Sequence, residues 1–267
     1  MKPISFSVLG VGAWGLNARN WEDLRTLLVG GELADDGSKG PKPAVIPANE
    51  RRRAPLPVRL AVEASSQACD AADVDPAEVA CVFVSGLGDT ALTDYMCKVL
   101  ASDNKALSPT KFHNSVHNAA AGYWTISTGC MQAANSVAGF NESVSLTLLE
   151  ALTQAEVEQR ALLLTFYDAP ASAVLKPLLK NDTSFATSIV IAPTAIADPS
   201  ASRFSASVSQ ASVDWPAGNW RGELQACYET NPVARILPFL QLLMSGEHDT
   251  LAMPLSGQTA LRVEKLS

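Results

Sequence analysis

The segment Ser108-Pro109-Thr110-Lys111-Phe112-His113-Asn114-Ser115-Val116-His117-Asn118-Ala119-Ala120-Ala121-Gly122-Tyr123-Trp124-Thr125-Ile126 is the most informative run in this chain of 267 residues. Its second half, Asn118 to Ser127, reads as a helix. On one continuous helix His113 and His117 would present two imidazoles on one face, the spacing of a metal pair, but no carboxylate or third ligand accompanies them. Asn114 and Asn118 give the competing reading, in which their amides satisfy a loop and the start of the helix after it. No metal and no cofactor are expected.

Upstream, Val79 to Val84 is a continuous apolar run closed by Ser85 and Gly86, the pattern of a strand buried on both faces. Before it, Val58, Val62, Ser65, Cys69 and Ala72 recur at spacings of three and four with Pro57 near the start, which predicts a helix that Asp75 and Pro76 end. Another helix is expected from about Thr90 to Ala101. Downstream, Asn135 to Val137 reads as a short strand, Ser143 to Leu152 as an apolar helix and Arg160 to Tyr167 as a buried strand. With Ile4 to Leu9 as a first strand running into a turn, the order up to Ala169 is β-α-β-α-β-α-β. That order predicts an α/β fold with a mostly parallel sheet covered on both faces.

Two stretches break the pattern. Gly30 to Pro57, with Pro41, Pro43, Pro47, Pro55 and Pro57, reads as irregular surface chain. After Ala169, Phe185 to Ala192 and Phe204 to Val213 read as strands, Val233 to Met244 as one helix, and Thr250 to Glu264 as terminal strand material. This remainder is too short for a second complete βαβ unit.

The net charge of −7 opposes attraction to phosphate backbones, so nucleic acid is not an expected partner. The only basic cluster, Arg51, Arg52 and Arg53, reads either as a solvated loop or as a docking point for an acidic partner such as a phosphopantetheine carrier protein. The longest apolar runs, Ala161 to Phe166 and Ile236 to Met244, fall well short of the roughly 20 residues that span a bilayer. Ser5 and Ser7 interrupt the apolar start and no cleavage site follows, so the expected location is the cytoplasm. Cys69, Cys81, Cys97, Cys130 and Cys227 form no CxxC pair and read as small buried residues in a reducing compartment.

Gly10, Gly12 and Gly15 form a GxGxxG after a strand, and Glu32 lies at the distance of a ribose-binding carboxylate. Against a dinucleotide site stand the serines in the preceding strand, the bulk of Trp14 and the Pro-rich chain where a second strand belongs. The glycines are therefore read as a turn. No GxSxG elbow is present, and His248 lies in a polar turn near the end.

The run from Ser108 to Ile126 resembles the segment preceding the nucleophile in β-ketoacyl synthases, enzymes of the thiolase fold. In that family an Ala-Gly helix is followed, about nineteen residues after its glycine, by an Ala-Cys-x-Ser-Gly elbow. Ungapped counting here reaches Phe140-Asn141-Glu142-Ser143-Val144, which puts Asn141, whose amide cannot form an acyl thioester, at the nucleophile position. The family's later half also supplies two histidines, and only His248 follows position 117. The resemblance covers residues 58–169 well. It implies a single domain over 1–267, with one full thiolase-like half and a shortened remnant of the second in 185–267.

The resemblance is strongest for truncated ketosynthase-like subunits of aryl polyene and related type II fatty acid or polyketide systems, which look like chain length factors. It implies a non-catalytic partner of an active ketosynthase, with acyl carrier protein reached through that ketosynthase. The dimer edge strand would be Ala133, Ala134, Asn135, Ser136 and Val137, and pairing would bury an edge otherwise open to aggregation. The acyl tunnel and interface would include Leu87, Asp89, Thr90, Thr93, Asp94, Phe112 and Val116. A half-length layer would leave an apolar face uncovered, to be closed by an interface of roughly 2,000 Å² or more. The alternatives are an independent acyl-transferring enzyme using Cys97, Cys130 or Ser143, and an acyl-binding scaffold.

Overall fold

In the computed structural model, which describes residues 2–35 and 37–267, the first strand does not stop at the glycines: β1 spans Ile4–Gly15. The other strands are β2 (Ala80–Val84), β3 (Ala134–Val137), β4 (Leu162–Asp168), β5 (Phe185–Pro193), β6 (Ser202–Ser209), β7 (Thr250–Ser256) and β8 (Thr259–Lys265). The helices are α1 (Trp21–Leu28), α2 (Ala48–Arg51), α3 (Leu56–Ala71), α4 (Thr90–Leu100), α5 (Pro109–His113), α6 (Ala119–Thr128), α7 (Ser143–Glu158), α8 (Lys176–Leu179), α9 (Gly222–Thr230) and α10 (Leu237–Met244). Short 3₁₀ turns cover Phe140–Glu142 and Pro232–Ile236.

The expected glycine turn is corrected by the way α3 crosses β1. A β-carbon on Gly12 would stand 2.1 Å from the Ala64 carbonyl oxygen, and one on Gly10 would stand 2.4 Å from that of Ala68. The glycines let a helix backbone lie directly on a strand, and the residues it presents there are Ala64, Ala68 and Ala72. Gly10 and Gly12 lie inside the strand and face α3, so they form no glycine loop at a helix start for a phosphate. The chain turns only at Gly15 to Ala18, where Leu16 and Asn17 have positive φ, and α1 starts after its cap, Asn20.

The sheet order is β3-β2-β4-β5-β1-β6-β8-β7. The expectation of a mostly parallel sheet fails: only β2–β3 and β2–β4 are parallel, and the five other pairings are antiparallel. β5 enters antiparallel between β4 and β1, a choice that strand order along the chain does not reveal. The strand β1 serves two neighbours, pairing with β6 through Ile4 to Val8 and mainly with β5 beyond a register shift at Val8/Gly10. The shift lets the sheet curl. Helices α3 and α6 pack on one face, while α7 touches both β2, β4 and β5 and, across the layer, β7. The large core around α7 holds Leu148, Leu152, Phe166, Phe204, Phe239 and Met253, with Phe6 stacked on Phe204 at 5.4 Å.

Three further readings are corrected. Val233 to Met244 is a 3₁₀ turn followed by α10, because Pro238 has no N–H for a continuous helical ladder and suits a helix start instead. Helices α1 and α9 were not expected; α1 buries only Leu24 and Leu28, too narrow a stripe to stand out. The anticipated uncovered apolar face is also absent from the outer side of β6, β8 and β7, where Ser205, Ser207, Arg262 and Glu264 alternate with inward Phe204, Ala206, Leu261 and Val263.

A bare edge strand and a cavity at the start of α4

The buried strand β4 ends in a carboxylate. Asp168 is fully enclosed, and its Oδ1 accepts from Ser85 Oγ (2.6 Å) and the Leu87 N–H (3.0 Å) while Oδ2 accepts from the Gly86 N–H (3.2 Å). Burial pushes its pKa up to about 7, opposed by these bonds and by the Val233 N–H. A β-carbon on Gly86 would meet Pro232 at 2.5 Å, so the 85–88 loop is pressed against the 3₁₀ turn of the second half. Asp168 thus ties the end of β2 to both parts of the chain.

The loop delivers Asp89, which caps α4 through the Leu92 N–H (2.9 Å) and whose pKa burial raises. Next to it, Thr90 Oγ1 accepts from the Ser172 N–H at 2.9 Å. Asp89 and Thr90 line a cavity of about 410 Å³ with Leu56, Pro57, Leu92 and Pro170, and with Arg53 and Lys111 among its charged lining residues. That volume lies in the range of small-molecule sites. Of the other proposed tunnel residues, Leu87 is half-buried over Asp168, Thr93 Oγ1 bonds the Asp89 carbonyl, Asp94 pairs with Lys98 at 2.6 Å, and Phe112 and Val116 are exposed. The structure therefore gathers Asp89 and Thr90 at the cavity and leaves Phe112 and Val116 on the surface.

The proposed edge strand is the sheet's first strand, and β2 is its only neighbour among the described residues. Ala133, just before it, and Val137 give their carbonyls to Cys81 and Ser85, so alternation turns the backbone groups of Ala134 and Ser136 outward. The two sheet edges differ. β7 carries Pro254 and a register shift, devices that block further pairing. β3 carries Ala, Asn, Ser and Val, with neither charge nor proline.

The run that contains it is also poor in charge. From Phe112 to Asn141 there is no Asp, Glu, Lys or Arg, where the chain's 18% charged fraction would place about five. Charge reaches the strand only from other elements: Asn135 donates to Glu150 (3.4 Å), and Gln132, just before β3, bonds Glu78 and Arg160. Several apolar side chains of the run are exposed, Met131 at 93% and Ile126 at 83%, with Phe112, Val116 and Phe140 also open. Depletion of charge with exposed aromatic and Met side chains is the signature of an interface centre.

β3 leads through Gly139 and Phe140 into α7, a strand–turn–helix elbow. Its left-handed residue is Phe140 (φ 48°), and Asn141 follows on the surface. Ser143 is buried and accepts the Gly139 N–H at 2.9 Å. The histidines are elsewhere: His113 ends α5, His117 lies in the turn beyond it and so not on the same helix, and exposed His248 faces Glu264 at 3.8 Å. Burial pushes the thiols of Cys69, Cys81 and Cys227 up to about 12, which disfavours their thiolates. Cys97 is exposed, contrary to the expectation that all five are buried.

The neighbouring polar residues have structural duties. Asn114 donates from Nδ2 to the Arg53 carbonyl (3.2 Å), while Asn118 caps α6 without a side-chain bond. Arg51 braces the Pro43 carbonyl at 2.8 Å, and Arg53 lies 3.6 Å from Glu50. Among the described residues, no helix is long and apolar enough to cross a membrane.

Sequence reading missed Asp168, Lys111 and Phe140. The first two carried readable signals, an acid closing the apolar run Leu162 to Asp168 and a lone cation before a thirty-residue charge gap.

An α/β sheet with this elbow and edge has the thiolase-like ketosynthase fold. Residues 26–232 match the family of the β-ketoacyl synthase N-terminal domain, so the chain belongs to that family. Among solved structures, it superimposes with a TM-score of 0.72 on a chain of the ketosynthase ApeO in complex with its chain length factor ApeC from Xenorhabdus doucetiae, at 19% identity over 98% of this chain and 99% of that one. A chain of the ishigamide ketosynthase/chain length factor gives 0.72 at 11% identity over 98% and 100%. One from AntDE:AntF, a type II PKS acyl-carrier protein in complex with its ketosynthase bound to the hexaketide, gives 0.73 at 12% over 99% of each chain. No curated protein sequence matches the chain.

Proposed function

We propose that this chain is a non-catalytic ketosynthase-like subunit, a chain length factor, that pairs with an active β-ketoacyl synthase and shapes the pocket in which an acyl chain grows. The observation that carries this reading is the unguarded β3 edge, a strand without charge or proline in a run of thirty residues that contributes no charged side chain. An added strand from a partner would satisfy the outward backbone groups of Ala134 and Ser136 and cover the apolar rim. The solved neighbours named as ketosynthase–chain length factor complexes support the same partner. The pathway would be aryl polyene or type II fatty acid or polyketide synthesis in the cytoplasm, with acyl carrier protein engaged through the ketosynthase.

Side-chain chemistry supports a role without catalysis. Neither Phe140 nor Asn141 offers a nucleophile at the elbow, and Ser143 is buried with its Oγ accepting the Gly139 N–H. Condensation needs both an activated nucleophile and groups that stabilise the developing charge. The competing reading, an independent acyl-transferring enzyme, rests on Cys97, Cys130 or Ser143. A thioester probe that acylates one of these in the isolated chain would establish it and displace the partner reading.

Co-expression tests the proposal. A ketosynthase from the same organism is expected to co-purify with this chain and raise its soluble yield. Ser136→Pro removes an outward N–H while sparing the β2 ladder, and is expected to abolish co-purification. Retention of the complex by this variant would remove β3 as the joining edge. Within an intact complex, Thr90→Met or Thr93→Met is expected to shorten the product. Product lengths unchanged in both would show that α4 does not floor the tunnel.

A further inference from the structure

We propose that Phe140 is the hydrophobic anchor by which this chain holds the edge strand of a ketosynthase subunit, so that the elbow between β3 and α7 serves contact rather than chemistry. The inference rests on the partner reading above and assigns its centre.

The backbone at Phe140 lies in the left-handed region, which disfavours a residue with a bulky side chain. A glycine is adjacent, but Gly139 has φ −146° and does not take the left-handed position. The Phe140–Glu142 turn itself lies against the Pro232–Ile236 turn and β7, but the ring is 48% exposed and belongs to neither buried core. The turn beneath it is fixed, since the Glu142 N–H bonds the Gly139 carbonyl (3.1 Å) and the Gly139 N–H bonds buried Ser143 Oγ (2.9 Å). A strained residue in a pinned turn, with its ring half open to solvent, is pre-aimed outward. Side chains held before binding lose little freedom on binding, and aromatic residues dominate interface energies for that reason and for their area.

The occupant follows from what surrounds the ring. Exposed Leu146 lies over Gly139, within 3.3 Å of where a β-carbon would stand, and β3 begins the outward ladder only a few residues earlier. A partner seated here must bring an extended strand for Ala134 and Ser136 and an uncharged apolar recess for the ring. The edge strand of a second thiolase-like sheet meets both requirements.

The test uses the complex of this chain with a co-expressed ketosynthase. Phe140→Gly deletes the ring and accepts the positive φ without strain, so the elbow itself is not disturbed. Subunit exchange against differently tagged chain is expected to quicken at least tenfold, with backbone amide protection across α7 unchanged. Val29→Ala, an exposed apolar site at the end of α1, is expected to leave the exchange rate as it was. Exchange within twofold of the unmodified complex would overturn the anchor while leaving the partner reading intact. Faster exchange together with lost α7 protection would make Phe140 a folding residue and also overturn it. A chain that recovers no ketosynthase, or assembles only with copies of itself, overturns the partner reading first.

Discussion

Gly12→Ala is expected to destabilise the fold strongly. The added methyl would lie 2.1 Å from the Ala64 carbonyl oxygen and 2.8 Å from the Ala68 nitrogen, both helix backbone, so α3 must lift from β1 as a unit. Helix α3 buries Val58, Leu60, Val62 and Ala68 against β1, β4 and β5, and a shift there opens the whole layer. Overpacking of this kind costs about 3 kcal/mol, a large share of the 5–15 kcal/mol that holds a typical domain together. Urea unfolding should show the midpoint falling accordingly. Gly122→Ala, in α6 with open space at its β-carbon, should move the other way by about 1 kcal/mol through helix propensity. Equal, small effects at both glycines would remove the close-contact explanation of the GxG run.

The second large effect is expected at Asp168. Asp168→Ala leaves the Ser85 hydroxyl and the Gly86 and Leu87 N–H groups facing an apolar gap, and should destabilise by about 3 kcal/mol. The charge state adds a pH signature. The folded-state pKa of about 7 stands above the ordinary value of 3.8, so between these limits the folded chain holds a proton that the unfolded chain has released. The contribution of Asp168 to stability is therefore full below about pH 4, falls as pH rises toward 7 and is level beyond. Asp168→Asn cannot titrate. The stability difference between wild type and Asp168→Asn, measured by urea unfolding from pH 5 to 8, should shrink as pH rises and then flatten. A difference independent of pH would show that Asp168 is ionised throughout.

The buried strands were plain in the sequence. Val79 to Val84 and Arg160 to Tyr167 predict β2 and β4 within two residues, because a strand covered on both faces must be apolar at every position. Helices α3, α4 and α6 were equally legible, and the short β3 was placed within one residue by Asn135 to Val137. What escaped was whatever depends on a distant neighbour. Glycines in sequence announce freedom of φ, and a turn was the natural reading; their actual use, accommodating Ala64 and Ala68, exists only once α3 lies on β1.

The candidate site divides in the same way. Asp89, Thr90 and the β3 residues came from resemblance and fall at a cavity and a sheet edge. Phe112 and Val116, from the same source, are exposed and do not line that cavity, so of the two expected locations only an interface could use them. The importance of Phe140 rests on a backbone angle, which no residue type declares.

By itself the sequence determined the α/β class, since which residues follow one another sets the alternation of strands and helices; the elbow before α7 was placed by family resemblance. Only the tertiary structure decided that the sheet is mixed, that β3 is left without a second neighbour among the described residues, and that Glu150 of α7 reaches it. Strand pairing and exposure are properties of surfaces brought together from distant parts of the chain, and local order along the chain does not encode which edge stays open.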